Sequence, residues 1–260
     1  MSAVFSGGPR LWNLSQVNAS TIKTMKNYLR SLGSVALLAV VVSAAWAQDS
    51  FSLKRTPKVG DTMSYKLSVD LDVQGMAANY SATVKEKVVK VGSDGSFVIE
   101  NSQASAKMTF SGQEQAIPDT GEVSKSTYAA NGLVQLIEGS DADEGGYRLS
   151  TLQGFVIPDS PKKVGDRWEV KIPADKKTGV VAATAAYEVL AVETIGSRKT
   201  VKVKWNTKET EGSSPASADG TVWLDTTDFS LVRLEAKLTN APVPGMGQSA
   251  NMVVKLERIN

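Results

Sequence analysis

From Met63 to Val73 apolar and polar residues alternate: Met63, Tyr65, Leu67, Val69, Leu71 and Val73 are separated by Ser64, Lys66, Ser68, Asp70 and Asp72. A period of two puts the two sets on opposite faces of a strand, one on a core and one toward water. Gln74-Gly75 marks a turn, a second strand is predicted from about Tyr80 to Val91, and Gly92-Ser93-Asp94-Gly95 predicts a hairpin into Phe97, Ile99 and onward to Phe110. The stretch from Ser111 to Gly146 is less regular, with short apolar runs such as Gly132 to Ile137. Tyr147 to Phe155 has room for a helical turn, but no window predicts a long amphipathic helix. The β-pattern resumes at Asp166 with Trp168, Val170 and Ile172. Further strands are expected near 180–194, 199–208, 220–224, 230–238 and 251–259.

Lys58-Val59-Gly60-Asp61 and Lys163-Val164-Gly165-Asp166 each precede a strand, about 105 residues apart. At nearly the same offset, Val91-Gly92 before Phe97 aligns with Ile195-Gly196 before Val201, and Asp119-Thr120-Gly121 with Asp225-Thr226-Thr227. The order of these landmarks suggests a duplicated meander of about five strands. Pro158-Asp159-Ser160-Pro161 reads as a loop joining the halves, too short to separate freely moving domains. The predicted fold is therefore mainly β with little helix: a strongly curved antiparallel sheet or open half-barrel, with a first β unit over residues 48–157 and a second over 158–260 in one continuous domain. Two separate sandwiches are the alternative.

The N-terminal region has a different pattern. From Met25 a short basic stretch, Met-Lys-Asn-Tyr-Leu-Arg, leads to the apolar run Val35–Val42 and then to Ser43-Ala44-Ala45-Trp46-Ala47. Ala45 and Ala47 supply the small-x-small pattern of signal-peptide cleavage, so residues 25–47 are expected to be removed between Ala47 and Gln48. The uncharged stretch Ser31–Ala47 is shorter than the ~20 residues that span a bilayer, which argues against a stable membrane span. Residues 1–24 read as an extended or non-native N-terminal segment. The expected location is outside the cytoplasm, periplasmic or secreted.

Charge changes with that cut. The whole chain has 29 basic and 27 acidic side chains, but the first 47 residues contain Arg10, Lys23, Lys26 and Arg30 and no acid, leaving 25 against 27. A near-neutral chain with interspersed charges has no electrostatic footprint for nucleic acid. Cysteine and histidine are both absent. Disulfides, Cys or His metal sites, thiol nucleophiles and His-dependent triads are excluded, as is lipid attachment through a cysteine. No cofactor is implied, and no enzyme is expected.

Several motifs have simpler structural readings. Asp61 and Asp166 could be paired carboxylates, but Gly-Asp before a strand is ordinary turn chemistry. Ser160-Pro161-Lys162-Lys163, Ser93-Asp94-Gly95 and Lys177-Thr178-Gly179 imitate the motifs of penicillin-recognising serine enzymes. There the nucleophile must open a helix, whereas Ser160 sits in a Pro-flanked loop. Asp141, Asp143 and Glu144 form an acidic turn without the remaining ligands of a calcium loop. Asn79-Tyr80-Ser81 is a glycosylation sequon. Seven per cent aromatic residues and the absence of interfacial girdles speak against an outer-membrane barrel.

The aromatics Tyr65, Phe97, Trp168, Trp205 and Trp223 all fall in predicted strands. Such rings fill cores, but in a curved sheet they would line its cavity and contact an apolar ligand. Phe155–Trp168, Gly220–Asp225 and Leu231–Glu235 resemble secreted bacterial β-proteins of unknown function, and through them the LolA, LolB and LppX lipoprotein-carrier fold. That resemblance implies a curved half-barrel that shelters acyl chains under helices. The expected function is non-enzymatic binding of an apolar, lipid-like ligand or an envelope component in the sheet concavity. The alternative is a protein-interaction module of the cell envelope using exposed strand edges.

Overall fold

The computed structural model describes residues 49–73, 75–119, 121–244 and 248–260. The cleavage site at Ala47 and Gln48 and the segments before it lie outside the described residues. Twelve strands follow in chain order: β1 (Thr62–Val73), β2 (Met76–Val91), β3 (Phe97–Phe110), β4 (Gln113–Ala116), β5 (Val123–Tyr128), β6 (Val134–Glu138), β7 (Arg167–Ile172), β8 (Ala183–Ile195), β9 (Arg198–Glu209), β10 (Ser217–Asp225), β11 (Leu231–Val243) and β12 (Gln248–Arg258). One helix, α1 (Glu144–Gln153), separates β6 from β7.

All twelve strands belong to one antiparallel sheet in the order β6-β5-β3-β2-β1-β12-β11-β10-β9-β8-β7, with β4 beside β3. Two meanders thus run outward from the centre, joined where β1 pairs with β12, and β6 and β7 are the outer edges. The sheet is not closed into a barrel. The alternation read from the sequence sets the faces. On β1, Met63 and Tyr65 are buried and Leu67, Val69 and Leu71 half-buried, while Lys66 and Asp70 are exposed. Across the sheet the inner row continues from Val69 to Val254, Ala236, Gly220, Trp205, Tyr187 and Trp168.

The two Lys-Val-Gly-Asp turns make the same four hydrogen bonds. Asp61 accepts from Lys58 N at 2.8 Å and Asp166 from Lys163 N at 2.8 Å. Asp61 N donates to Lys58 O, and Asp166 N to Lys163 O, both at 3.0 Å. Gly60 N and Gly165 N donate to the carbonyls of Val88 and Val189, and those two amides donate back to Asp61 O and Asp166 O, all at 2.8–3.0 Å. Both glycines have φ above +90°, a conformation a side chain would disfavour. A pairing irregularity follows in each half, at Val88/Lys90 in β2 and Val189/Ala191 in β8. The third sequence landmark does not correspond: Asp119 precedes β5, whereas Asp225 ends β10.

The irregular stretch after Ser111 holds β4, β5 and β6. The helix begins earlier than its apolar residues suggest, because Asp143 N-caps it by accepting from Gly146 N at 2.7 Å. The K-T-G-like and S-x-x-K-like fragments flank β7 on opposite sides. Ser160 Oγ accepts from Lys162 Nζ at 3.2 Å in an exposed loop, and Asp175 caps Lys177 N. The sequon's Asn79 donates to Asp70 at 2.7 Å.

Candidate functional site

The inner face divides into a filled part and an open part. Over β9, β10 and β11 it is covered by α1, whose Tyr147 hydroxyl also accepts from Ile137 N at the edge of β6 at 2.9 Å. The helix has weak amphipathicity, burying only Gly146 and Leu152, and is held largely by polar contacts. Arg148 forms a bidentate pair with Glu209 of β9, both bonds 2.9 Å long, and Glu209 also accepts from Ala216 N at 2.7 Å. The Glu209 side chain is only 3% exposed, so this pair is desolvated and its geometry is that of a strong charge-assisted contact. The carboxylate raises the pKa of the Arg148 guanidinium further.

Two tryptophans and a tyrosine fasten the chain that leaves the helix. Trp205 donates to Leu152 O at 3.2 Å, Tyr187 to Gly154 O at 2.9 Å, and Trp168 to Val156 O at 3.1 Å. The Tyr187 hydroxyl also accepts from Val156 N, and burial pushes its pKa up to about 12. Trp168 stacks on Tyr187 at 4.8 Å, and Phe155 meets both rings edge-on. Trp168 and Trp205 therefore face inward, with their polar edges already satisfied by the helical segment.

The other three sequence-selected aromatics lie elsewhere. Tyr65 is buried at the β1 end of the inner face and donates to Leu231 O at 3.2 Å. Phe97 stacks on Tyr128 at 5.1 Å, and the Arg55 guanidinium lies over its ring at 5.4 Å. Trp223 is on the outer face, opposite Lys202 and Arg233, whose charges approach its ring to 5.0 and 5.6 Å; its indole N–H donates to Glu193. Near Tyr65 and Phe97 lies a largely buried ion pair, Arg55–Glu86 at 3.5 Å. Burial raises the Glu86 pKa, and Arg55 and Arg258 only partly oppose it.

The open part of the inner face is formed by the ends of β1, β2 and β3 near Leu71 and Phe110, since Met63, Tyr65, Val88, Phe97 and Ile99 at the other end are buried. Leu67, Val69 and Leu71 are half-buried, pairing across to Ala82, Tyr80 and Ala78 of β2, and Tyr80 and Ala78 pair onward to Met108 and Phe110. Phe110 is 48% exposed. Beside this strip lies a cleft of about 290 Å³ whose lining includes Tyr80, Gln103, Ser124, Ile117 and Asp141. Tyr80 donates to Gln103 across it. Burial raises the Asp141 carboxyl, and neighbouring Asp143 and Glu122 raise it further; Tyr80 is raised by burial and by Asp141. The site is an apolar strip with a polar, acid-rimmed margin. Sequence reasoning picked out large aromatics and passed over Leu67, Val69, Leu71 and Met108, although the β1 alternation contained the signal.

No protein-family model matches the chain, and no curated protein does. Among solved structures it is similar to a Bacteroides fragilis protein described as exported, with a YmcC-like fold, at 12% identity and a TM-score of 0.34, covering 82% of this chain and 100% of that one. A second is a DUF1329 family protein from Desulfovibrio piger, at 10% identity and a TM-score of 0.22, covering 78% and 85%. Neither is described as a lipoprotein carrier. Among the described residues no helix is long and apolar enough to cross a membrane.

Proposed function

We infer that the chain is an exported, non-enzymatic binding protein that takes the apolar portion of an amphiphilic ligand onto the inner face of β1–β3. The observation that carries this reading is the half-buried row Leu67, Val69 and Leu71. It continues the inner apolar face of the sheet beyond the area packed by α1 and ends at exposed Phe110. Apolar strips with a few polar groups at one margin suit ligands with an alkyl body and a polar end. Export rests on the leader pattern of residues 25–47.

The test is a fluorescence titration with dansyl-undecanoic acid. Saturable binding is expected, weakened more than tenfold by Val69→Glu and unchanged by the outer-face substitution Trp223→Leu. Absence of saturable binding, or equal losses in both variants, would defeat the proposal.

A further inference from the structure

The free edge of β7 is complementary to an extended polypeptide strand. Its orientation follows from the Lys-Val-Gly-Asp turn. Gly165 N and Asp166 O both bond to Val189, so the backbone groups of Val189 point toward β7. Alternate residues of a strand share that direction, so Tyr187, Ala185 and Ala183 do too, and they pair with Trp168, Val170 and Ile172. Ala182 O, one residue away, points to the opposite neighbour and accepts from Thr210 N at 2.7 Å. The N–H and C=O groups of Arg167, Glu169 and Lys171 therefore point outward. They form a row with no partner among the described residues.

The same edge is occupied in the other half of the molecule. The matching turns make β1 the counterpart of β7, Ser64 the counterpart of Glu169, and Lys66 that of Lys171. Ser64 O accepts from Ile259 N at 2.9 Å, and Ser64 N donates to the Asn260 side chain at 2.7 Å. Lys66 stands opposite Glu257 of β12. Where β1 has an antiparallel strand, β7 has none among the described residues. The inward-facing Trp168, Val170 and Ile172 are half-buried or buried, and the outward Glu169 and Lys171 are exposed charges. Such charges deter indiscriminate edge pairing but admit a partner of matching pattern. At the Ile172 end the edge adjoins a cleft of about 420 Å³ lined by Leu133, Pro173 and Val180 together with Gln135, Thr151 and Asp175.

We propose that β7 accepts an antiparallel strand from another polypeptide: an extended segment that sets an acidic residue opposite Lys171 and an apolar one opposite Ile172, as Glu257 and Leu256 of β12 stand to Lys66 and Leu67 of β1. This is strand addition, in which main-chain bonds supply affinity and alternate side chains supply specificity. The surface is separate from the open strip on β1–β3, so the two proposals stand or fall independently.

The probe is a synthetic peptide with the sequence of Gln248–Asn260, the strand that covers the equivalent edge, added to the full chain. Amide hydrogen exchange should slow at least tenfold at Glu169 and Lys171, with no change at Trp168, Val170 and Ile172. N-methylating the peptide amides that face the edge should abolish the protection without altering the protein. Glu169→Pro should weaken binding tenfold or more, and Glu169→Ala less than twofold. Unchanged exchange at Glu169 and Lys171, full binding by the N-methylated peptide, or a free protein that already self-associates with these amides protected would overturn the proposal.

Discussion

Gly220 sits directly against Trp205 of the neighbouring strand: a Cβ there would clash with the indole ring and lie 2.7 Å from Glu235 O. Gly220→Ala must therefore displace a buried indole whose N–H is committed to Leu152 O, and overpacking of that kind costs about 1–3 kcal/mol. A lower urea midpoint with an unchanged slope is the expected result. Glu86 poses the opposite problem, since its charge is poorly placed in the native state. Burial raises its folded pKa above the unfolded value despite Arg55 and Arg258. The folded form thus binds this proton more tightly, so the contribution to stability is full below the unfolded carboxylate pKa and is lost as pH rises through the folded one. Relative to Glu86→Gln, in which Arg55 is left unpaired, the wild-type chain should gain stability as pH falls from 7 through the carboxylate range. A constant difference across that range would remove the assignment. Neither effect was legible in the sequence, because one depends on the register of two paired strands and the other on where the segment around Arg55 folds against β2.

At the level of elements, β1–β3 and β7–β12 were legible, β4–β6 were not, and the helix was legible only as a turn at Tyr147–Phe155. β1 alternates over eleven residues and declares itself, and the second-half strands were placed within a few residues of their ends. α1 reads Glu-Gly-Gly-Tyr-Arg-Leu-Ser-Thr-Leu-Gln, with two glycines in its first turn and a thin apolar face, so neither propensity nor periodicity singles it out. It persists through its cap and through contacts the sequence keeps 61 residues apart, above all Arg148 with Glu209. Removing one partner of a desolvated pair leaves the other charge buried alone. Arg148→Met should accordingly cost about 3–5 kcal/mol, and the double variant Arg148→Met with Glu209→Leu should recover much of it. A double-mutant cycle by chemical denaturation measures this, and additive losses would show that the pair does not couple helix to sheet. The candidate site was missed for a related reason. Aromatic size drew attention to Trp168 and Trp205, whose indoles are bonded to the segment leaving α1, while the open strip is built from aliphatic residues that one strand alone cannot identify as uncovered.

For the molecule as a whole, the decisive contact is β1 with β12, which merges two meanders into one sheet and places the chain's halves on either side of a continuous inner face. The matched turns provide a probe of that unity. Asp61 and Asp166 make the same 2.8 Å bond to a backbone amide in opposite halves, each worth about 0.5–1.5 kcal/mol net. If the halves were independent, Asp61→Ala would lower one transition and Asp166→Ala another. With eight residue pairs of β1 and β12 in register through the centre, separating the halves would expose two strand edges and divide the apolar row that runs from Leu67 to Leu256 and Leu234. Both variants should therefore shift one common transition, by similar amounts, with far- and near-ultraviolet circular dichroism remaining coincident. Two resolved transitions in either variant would mean that the β1–β12 junction is weaker than the meanders it joins.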